Sequence, residues 1–416
     1  MNTIDQAIQL IEQNELNEAV SILRDYVRQA SDNELITIAD LFIELGLLDD
    51  ARAILESLLE NYPDESDIRL VLAEIYIDLE NDEQAINHLE AIDPASDEYI
   101  ASLLVAADLY QTQGLFEVAE QKLIDAKQLA PNETLIDFAQ AELAFSLGKY
   151  DDALFNYRKI HQQSDQIAEV DLALRIAESL AAVGQFEESL EYYKEAEIDD
   201  PEMLFRYGFI AYQANRMDIA INTWEELLKQ DAEYGSVYHY LAEAYQEEGL
   251  TDQGYETAKK GLEMDPLNKE LLLTAASLAR KSGQNEESYR FARNAIAIDP
   301  GYKAGILFLI ENYRKEDDFE AIIDLLTHII EQGEEDGYYK WELAKAYEAE
   351  ETYDLALKHY RDAFNDFKDD SDFLKAYGYF LVEEGMREEA VQIFTRYLAI
   401  DPSDVEIESY LARLKD

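Results

Sequence analysis

Apolar residues recur at three- and four-residue intervals along almost the whole chain, which is the spacing of one face of an α-helix. Within residues 100–133, one such stripe includes Leu103 and Tyr110, and a second includes Leu123. A turn with Gly114 separates the two stripes. This segment is predicted to form two antiparallel helices, and glycine would end the first of them in a left-handed conformation.

The same two-helix pattern repeats along the chain, with one small residue in the middle of each first helix and another twelve residues later. Two helices can cross closely only where no large side chain stands between them. The first small position is occupied by Ala7, Ala39, Ala73, Ala107, Ala141, Ala177, Gly208, Ala242, Ala276, Leu309, Ala344 and Gly378. The second small position is occupied by Ala19, Ala51, Ala85, Ala119, Ala153, Ser189, Ala220, Gly254, Ser288, Ala321, Ala356 and Ala390. Leu309 is the one large residue in either set, so local packing there is expected to differ.

All seven prolines fall between the second helix of one pair and the first helix of the next. Proline cannot continue a helix but is tolerated at a helix start, so it marks the joints between pairs. The spacing of the small positions is irregular around Ala177, and a loosened joint is expected at residues 162–168.

The pattern resembles the tetratricopeptide repeat, a two-helix unit of about 34 residues. The resemblance rests on Leu72-Ala73, Tyr76 three residues on, Ala85 and a proline at the end of the unit. It implies an all-α, right-handed α-solenoid of about twelve units in a single array over residues 1–416, with a capping helix at 404–416. The expected units are 1–31, 32–65, 66–99, 100–133, 134–169, 170–200, 201–234, 235–268, 269–301, 302–336, 337–370 and 371–403.

Charge restricts the partners of such an array. The chain carries 91 acidic and 34 basic residues, a formal net charge of −57 that repels nucleic acid and anionic membrane surfaces. It contains no cysteine, which excludes disulfides and thiolate metal sites. With no signal peptide and no long apolar run in the sequence, a cytoplasmic location without membrane insertion is expected.

The resemblance also implies where partners bind, because first helices line the inner groove of such arrays at positions three before, one after and four after the first small residue. The candidate groove residues are Ile36, Asp40, Ile43, Leu70, Glu74, Ile77, Leu104, Asp108, Phe138, Glu142, Phe145, Leu174, Glu178, Phe205, Phe209, Tyr212, His239 and Glu243. Carboxylates beside apolar side chains favour a basic or amphipathic protein segment as partner. Alternatively, the apolar positions pack one unit on the next, and the acids follow the overall excess.

One stretch reverses the sign of the charge. Between residues 258 and 315 ten basic residues outnumber seven acidic ones. The basic residues are Lys259, Lys260, Lys269, Arg280, Lys281, Arg290, Arg293, Lys303, Arg314 and Lys315. This stretch could meet an acidic partner, pair with the acids of the chain itself, or be a fluctuation among solvated side chains.

No sequence motif for catalysis, a cofactor or a metal is present. The five histidines are widely separated, and the lysines and asparagines of the family's clamp for acidic peptide C-termini are absent from the matching positions. The sequence therefore predicts a non-catalytic scaffold or adaptor for other proteins. The alternative is an acidic mimic that blocks a basic nucleic-acid- or substrate-binding surface of a partner. Partner identity and oligomeric state stay open.

Overall fold

The structure is a computed structural model that describes residues 3–168, 170–196 and 198–415. It consists of helices that pack in sequential antiparallel pairs, and the predicted all-α solenoid is confirmed. The chain divides into two compact units, Met1–Ile198 (unit 1) and Asp199–Asp416 (unit 2). Each unit has hydrophobic clusters of its own.

Unit 1 contains twelve α-helices among its described residues. They are α1 (Thr3–Glu12), α2 (Leu16–Tyr26), α3 (Asp32–Glu44), α4 (Leu48–Asn61), α5 (Ser66–Asp78), α6 (Asp82–Glu90), α7 (Tyr99–Thr112), α8 (Phe116–Leu129), α9 (Thr134–Ser146), α10 (Tyr150–His161), α11 (Leu172–Ala182) and α12 (Phe186–Glu195). A short 3-10 turn, Val27–Gln29, follows α2.

Unit 2 contains thirteen α-helices within the part that the structure describes. They are α13 (Pro201–Gln213), α14 (Met217–Gln230), α15 (Gly235–Glu247), α16 (Thr251–Met264), α17 (Lys269–Lys281), α18 (Asn285–Ile298), α19 (Lys303–Lys315), α20 (Phe319–Glu331), α21 (Gly337–Ala349), α22 (Tyr353–Phe367), α23 (Ser371–Glu383), α24 (Arg387–Ile400) and α25 (Val405–Lys415). The last lies where the capping helix is expected. The exact repeat boundaries stay a prediction.

The small positions lie where the two helices of a pair cross. Ala73 and Ala85, for example, have no exposed surface. Where serine replaces alanine at the second position, it is also fully buried, and its hydroxyl donates to the carbonyl oxygen of the first position. Ser189 donates in this way to Ala177, and Ser288 to Ala276, at 2.7 Å in both cases. A buried hydroxyl thus finds an acceptor without separating the helices.

The turns inside the pairs use left-handed backbone, as the glycines predict. Gly114 has φ +73°. Where glycine is missing, other residues take the same conformation, among them Glu80 at φ 57° and Asp317 at φ 54°. The turn geometry is therefore set by the packing of the pair, which overrides the local preference of these residues.

The irregular joint before α11 contains two short antiparallel strands, β1 (Gln166–Ile167) and β2 (Val170–Asp171). Ala168 between them has φ 48°, a conformation that L-residues rarely adopt. The Asp171 carboxylate then accepts from the backbone N–H groups of Ala173 and Leu174 and caps α11. The expected irregularity is thus a small hairpin that ends in a helix cap.

Candidate binding surface on the first helices

Three carboxylates of the predicted groove, the acidic row, lie on successive first helices: Asp40 on α3, Glu74 on α5 and Asp108 on α7. All three are exposed, and each occupies the equivalent position on its helix. In the described chain none of them has a hydrogen-bond or ion-pair partner. Burial, followed by the charge of Glu44, raises the pKa of Asp40, and burial with the charge of Asp78 raises that of Glu74. These acids are therefore uncompensated charges.

The apolar side chains beside the acidic row are only partly available to a partner. Ile36 is 37% exposed, but Ile43, Leu70 and Ile77 are half-buried and pack against the core cluster of unit 1. Leu104 is also half-buried. The same side chains thus support the core and leave an apolar margin beside the carboxylates, and their role in binding a partner stays a prediction.

On α9 and α11 the predicted groove residues meet around Arg175. Its guanidinium donates to Glu142 at 3.0 Å and to Glu178 at 3.2 Å, and it lies 5.6 Å from the ring centroid of Phe145. Tyr157 also donates its hydroxyl to Glu142, at 2.6 Å. Burial lowers the pKa of Arg175, but the charges of Glu142 and Glu178 outweigh this effect and raise it. The two carboxylates are thus already compensated.

Phe138 is a correction to the predicted groove. Its side chain is only 9% exposed, and it packs in a core cluster with Tyr157, at a ring-centroid distance of 6.3 Å. A ring so placed supports the fold and offers a partner little surface. Leu174, one repeat further on, is half-buried.

In unit 2 the predicted residues Phe205, Phe209 and Tyr212 of α13 pack around Tyr240 of α15, with ring centroids 5.4 to 6.2 Å from its own. Trp224 closes this aromatic cluster from α14. Glu243 accepts from the Tyr212 hydroxyl at 3.2 Å, and burial with that charge raises the pKa of Tyr212 to about 12.

His239 makes polar contacts with Thr274 and Glu243. Its Nδ1 is 3.4 Å from Thr274 Oγ1, and its Nε2 is 3.7 Å from Glu243. Among the described side chains, no group of three or more His, Asp and Glu is placed to hold a metal ion.

Arg175 and Tyr240 were missed by the sequence prediction, and both stand two residues before the first small position. From that position Arg175 reaches Glu142 and Tyr240 reaches Phe205 of the preceding first helix. The sequence could have indicated both residues. Residues three apart are neighbours on a helix surface, and the position two before the first small residue is three residues before the predicted carboxylate.

Most of the basic stretch pairs with carboxylates of the chain itself. Seven of its ten cations do so: Lys259 with Glu256, Lys269 with Asp299, Arg280 with Glu316, Arg290 with Glu287, Lys303 with Asp336, Arg314 with Glu342 and Lys315 with Glu311. Pairs of this kind between repeats, such as Lys303 with Asp336 at 2.7 Å, leave the stretch little free positive charge.

Sequential helix pairs that cross at buried small residues define a tetratricopeptide repeat protein. Tetratricopeptide repeat models match residues 10–69, 42–107 and 174–236. Two further family models are more specific. The model for YpiA-like tetratricopeptide repeats matches residues 111–165, and the model for YpiA-like C-terminal tetratricopeptide repeats matches residues 338–404. The TPR repeat-containing protein YpiA of Bacillus subtilis (strain 168) is 38% identical over 419 residues, covering 100% of this chain and 99% of that protein. The chain belongs to the YpiA-like tetratricopeptide repeat family.

Solved structures of repeat proteins are similar at a lower level. The crystal structure of YrrB, described as a TPR protein with an unusual peptide-binding site, has a TM-score of 0.39 and 13% identity, and covers 44% of this chain and 95% of its own. The crystal structure of MamA has a TM-score of 0.37 and 16% identity, over 40% of this chain and 91% of its own.

Family membership supports a protein-interaction scaffold as the general function, and tetratricopeptide repeats are typically non-catalytic. Within the described ranges, no helix is both long enough and apolar enough to cross a bilayer.

Proposed function

We propose that this protein is a non-catalytic cytoplasmic scaffold that binds a basic or amphipathic protein segment along the first helices of unit 1. The observation that carries the proposal is the acidic row, in which Asp40, Glu74 and Asp108 stand at one position of three successive first helices without a cation. A lysine or arginine from a partner would compensate charges that the chain leaves uncompensated.

The acidic row is favoured over the other predicted surfaces because most charged groups of those surfaces already have a partner in the chain. Arg175 holds Glu142 and Glu178, and the Tyr212 hydroxyl holds Glu243. Seven cations of the basic stretch pair with nearby acids of the chain, so an acidic partner would have to displace those acids. Binding at the acidic row requires no such exchange.

The test compares two triple variants that change the net charge equally. The first is Asp40→Asn/Glu74→Gln/Asp108→Asn. The control is Glu60→Gln/Glu83→Gln/Glu117→Gln on α4, α6 and α8, where all three carboxylates are exposed and have no partner among the residues described. The probe is a lysine-rich amphipathic helical peptide, and its affinity is measured by fluorescence anisotropy at several salt concentrations.

We expect the first variant to weaken binding about tenfold or more, since hydrogen bonds to charged groups are worth about 1.5–3 kcal/mol each. The control should bind like the wild type, and residual affinity should persist in salt because of the apolar margin. Equal losses in both variants, with a steep loss in salt, would instead support an acidic mimic that acts through its overall charge. Unchanged binding in the first variant would refute the acidic row as the binding surface.

A further inference from the structure

A cavity of about 580 Å³ opens in unit 2 between α18, α19 and α20. Its wall is mostly apolar, with Ile296 from α18 and Leu325 and Ile329 from α20. Small-molecule sites in proteins are typically about 300–1,000 Å³ and are lined mainly by apolar groups with a few polar ones. None of the predicted groove residues lines this cavity, so it is separate from the acidic row.

The cavity lies in the repeat whose first small position holds a large residue. Leu309 stands at the first small position of α19, fully buried, where the other repeats have alanine or glycine. Among the described pairs within one repeat, α19 and α20 pack least closely. Ala321, the second small position of this pair, is correspondingly half-buried and lines the cavity, whereas Ala119 and its other counterparts are buried. The pair with a large residue at its crossing is thus also the pair that packs least closely.

Two polar groups of the cavity wall contact each other, Arg293 from α18 and Tyr313 from α19. Arg293 donates to the Tyr313 hydroxyl through Nε at 3.1 Å and Nη2 at 2.7 Å. It is the one arginine of the basic stretch with no carboxylate partner in the described structure. Tyr313 is only 3% exposed, and its own hydroxyl hydrogen has no acceptor among the described groups. Arg293 and Tyr313 therefore present unused donors side by side.

Two adjacent donors, one of them a cation, match the two oxygens of a carboxylate. We propose that the cavity binds an apolar group that bears a carboxylate, with the oxygens on Arg293 and Tyr313 and the apolar body against Ile296, Leu325 and Ile329. Two sources have this chemistry, namely a small aliphatic or aromatic acid and the C-terminus of a peptide that ends in an apolar residue. Asp324 also lines the cavity and would repel such an anion.

The test uses four probes with the full-length protein: 4-phenylbutanoate, its amide, a short peptide that ends in leucine, and the same peptide with an amidated C-terminus. Binding is measured by calorimetry and by ligand-observed NMR. We expect the free acids to bind at least about tenfold more tightly than the amides, because the charged hydrogen bonds are lost in the amide. Which of the two acids binds more tightly identifies the source.

Four variants locate the binding. Arg293→Gln should remove the preference for acid over amide. Asp324→Asn should strengthen acid binding by removing repulsion, and Ala321→Leu should weaken binding by occupying part of the cavity. Arg290→Gln is the control, since Arg290 is an exposed arginine on the same helix that pairs with Glu287 and does not line the cavity.

Circular dichroism and thermal melting verify that each variant is folded. Equal binding of acids and amides, or an unchanged acid preference in Arg293→Gln, would overturn the proposal. So would the absence of binding by all four probes at millimolar concentration.

Discussion

The indole of Trp224 fills the space that a side chain at Gly208 would need. A Cβ atom built on Gly208 would lie 2.3 Å from Trp224 Nε1. Trp224 is fully buried, and its Nε1 donates to the carbonyl oxygen of Phe205 at 3.2 Å. Glycine at this first small position is therefore required by a large partner on the second helix of the same repeat.

Gly208→Ala should accordingly destabilise the protein, although alanine is the better helix former. We expect a loss of about 1–3 kcal/mol from overpacking, measured by chemical denaturation with tryptophan fluorescence. Gly235→Ala is the control, because no heavy atom lies within 4 Å of its added Cβ and its stability should be unchanged or slightly raised. In the Trp224→Leu background, Gly208→Ala should lower the free energy of unfolding by less than it does in the wild type. An equal loss in both backgrounds would contradict the steric explanation.

The repeat architecture could be predicted from sequence because it depends on a position-specific steric requirement. Ala119 and Ala153 must be small in any helix pair that crosses there, whatever surrounds them. The partners of individual side chains could not be predicted in the same way. Glu142 and Glu74 have equivalent positions in their repeats, yet only Glu142 is compensated, since Arg175 reaches it from the next repeat. Such contacts depend on which side chain the neighbouring helix supplies.

The candidate surface stays a prediction, but the exposure of its residues can be compared with the structure. The register placed Asp40, Glu74 and Asp108 on exposed positions, as the structure has them. It also placed Phe138 there, but that ring turns into the core beside Tyr157. A large aromatic side chain can reach the core from a position at the edge of the helix face, so the register alone does not determine its burial.

The second small position allows a comparison in which one substitution has opposite effects in two repeats. Ala119 is fully buried at the crossing of α7 and α8, so Ala119→Leu should cost about 1–3 kcal/mol. Ala321 faces the cavity, so Ala321→Leu should instead stabilise by about 0.5–2 kcal/mol, since each newly buried methylene contributes about 0.8 kcal/mol at most. Thermal melting of both variants measures the contrast. Destabilisation of similar size in both would mean that α19 and α20 cross as closely as the other pairs.

Arg175 should contribute to stability far more than a surface arginine does. Arg175→Gln removes the hydrogen bonds that the guanidinium donates to Glu142 and Glu178, and the Glu178 side chain is only 9% exposed. We expect a loss of about 1.5–3 kcal/mol, the range for hydrogen bonds to charged groups. The control is Arg158→Gln. Arg158 pairs with Glu188, and the two side chains are 38% and 50% exposed, so this substitution should change stability by less than about 1 kcal/mol. Chemical denaturation of both variants would show whether the network stabilises unit 1, and equal losses would show that it does not.

Binding of a basic peptide at the acidic row should release protons below neutral pH. In the free protein, burial and the neighbouring acids raise the pKa of Asp40 and Glu74 above their ordinary values of 3.8 and 4.5. Both carboxyls therefore take up protons at a higher pH than acids with ordinary pKa values do. A lysine of the peptide favours the ionised form of these carboxyls, so binding expels their protons. The affinity for the peptide should therefore fall as the pH decreases towards the pKa values of Asp40 and Glu74.

Protonation of Asp40 and Glu74 should affect folding stability in the opposite direction to peptide affinity. A carboxyl whose pKa is raised in the folded state binds protons more readily there than in the unfolded chain, so its contribution to stability rises as the pH falls through the same pKa values. Calorimetry in two buffers of different ionisation enthalpy measures the protons released on binding, and denaturation over the same pH range measures stability. Asp40→Asn/Glu74→Gln should remove both effects. Proton uptake on peptide binding, or release that persists in this variant, would show that other groups bind the peptide.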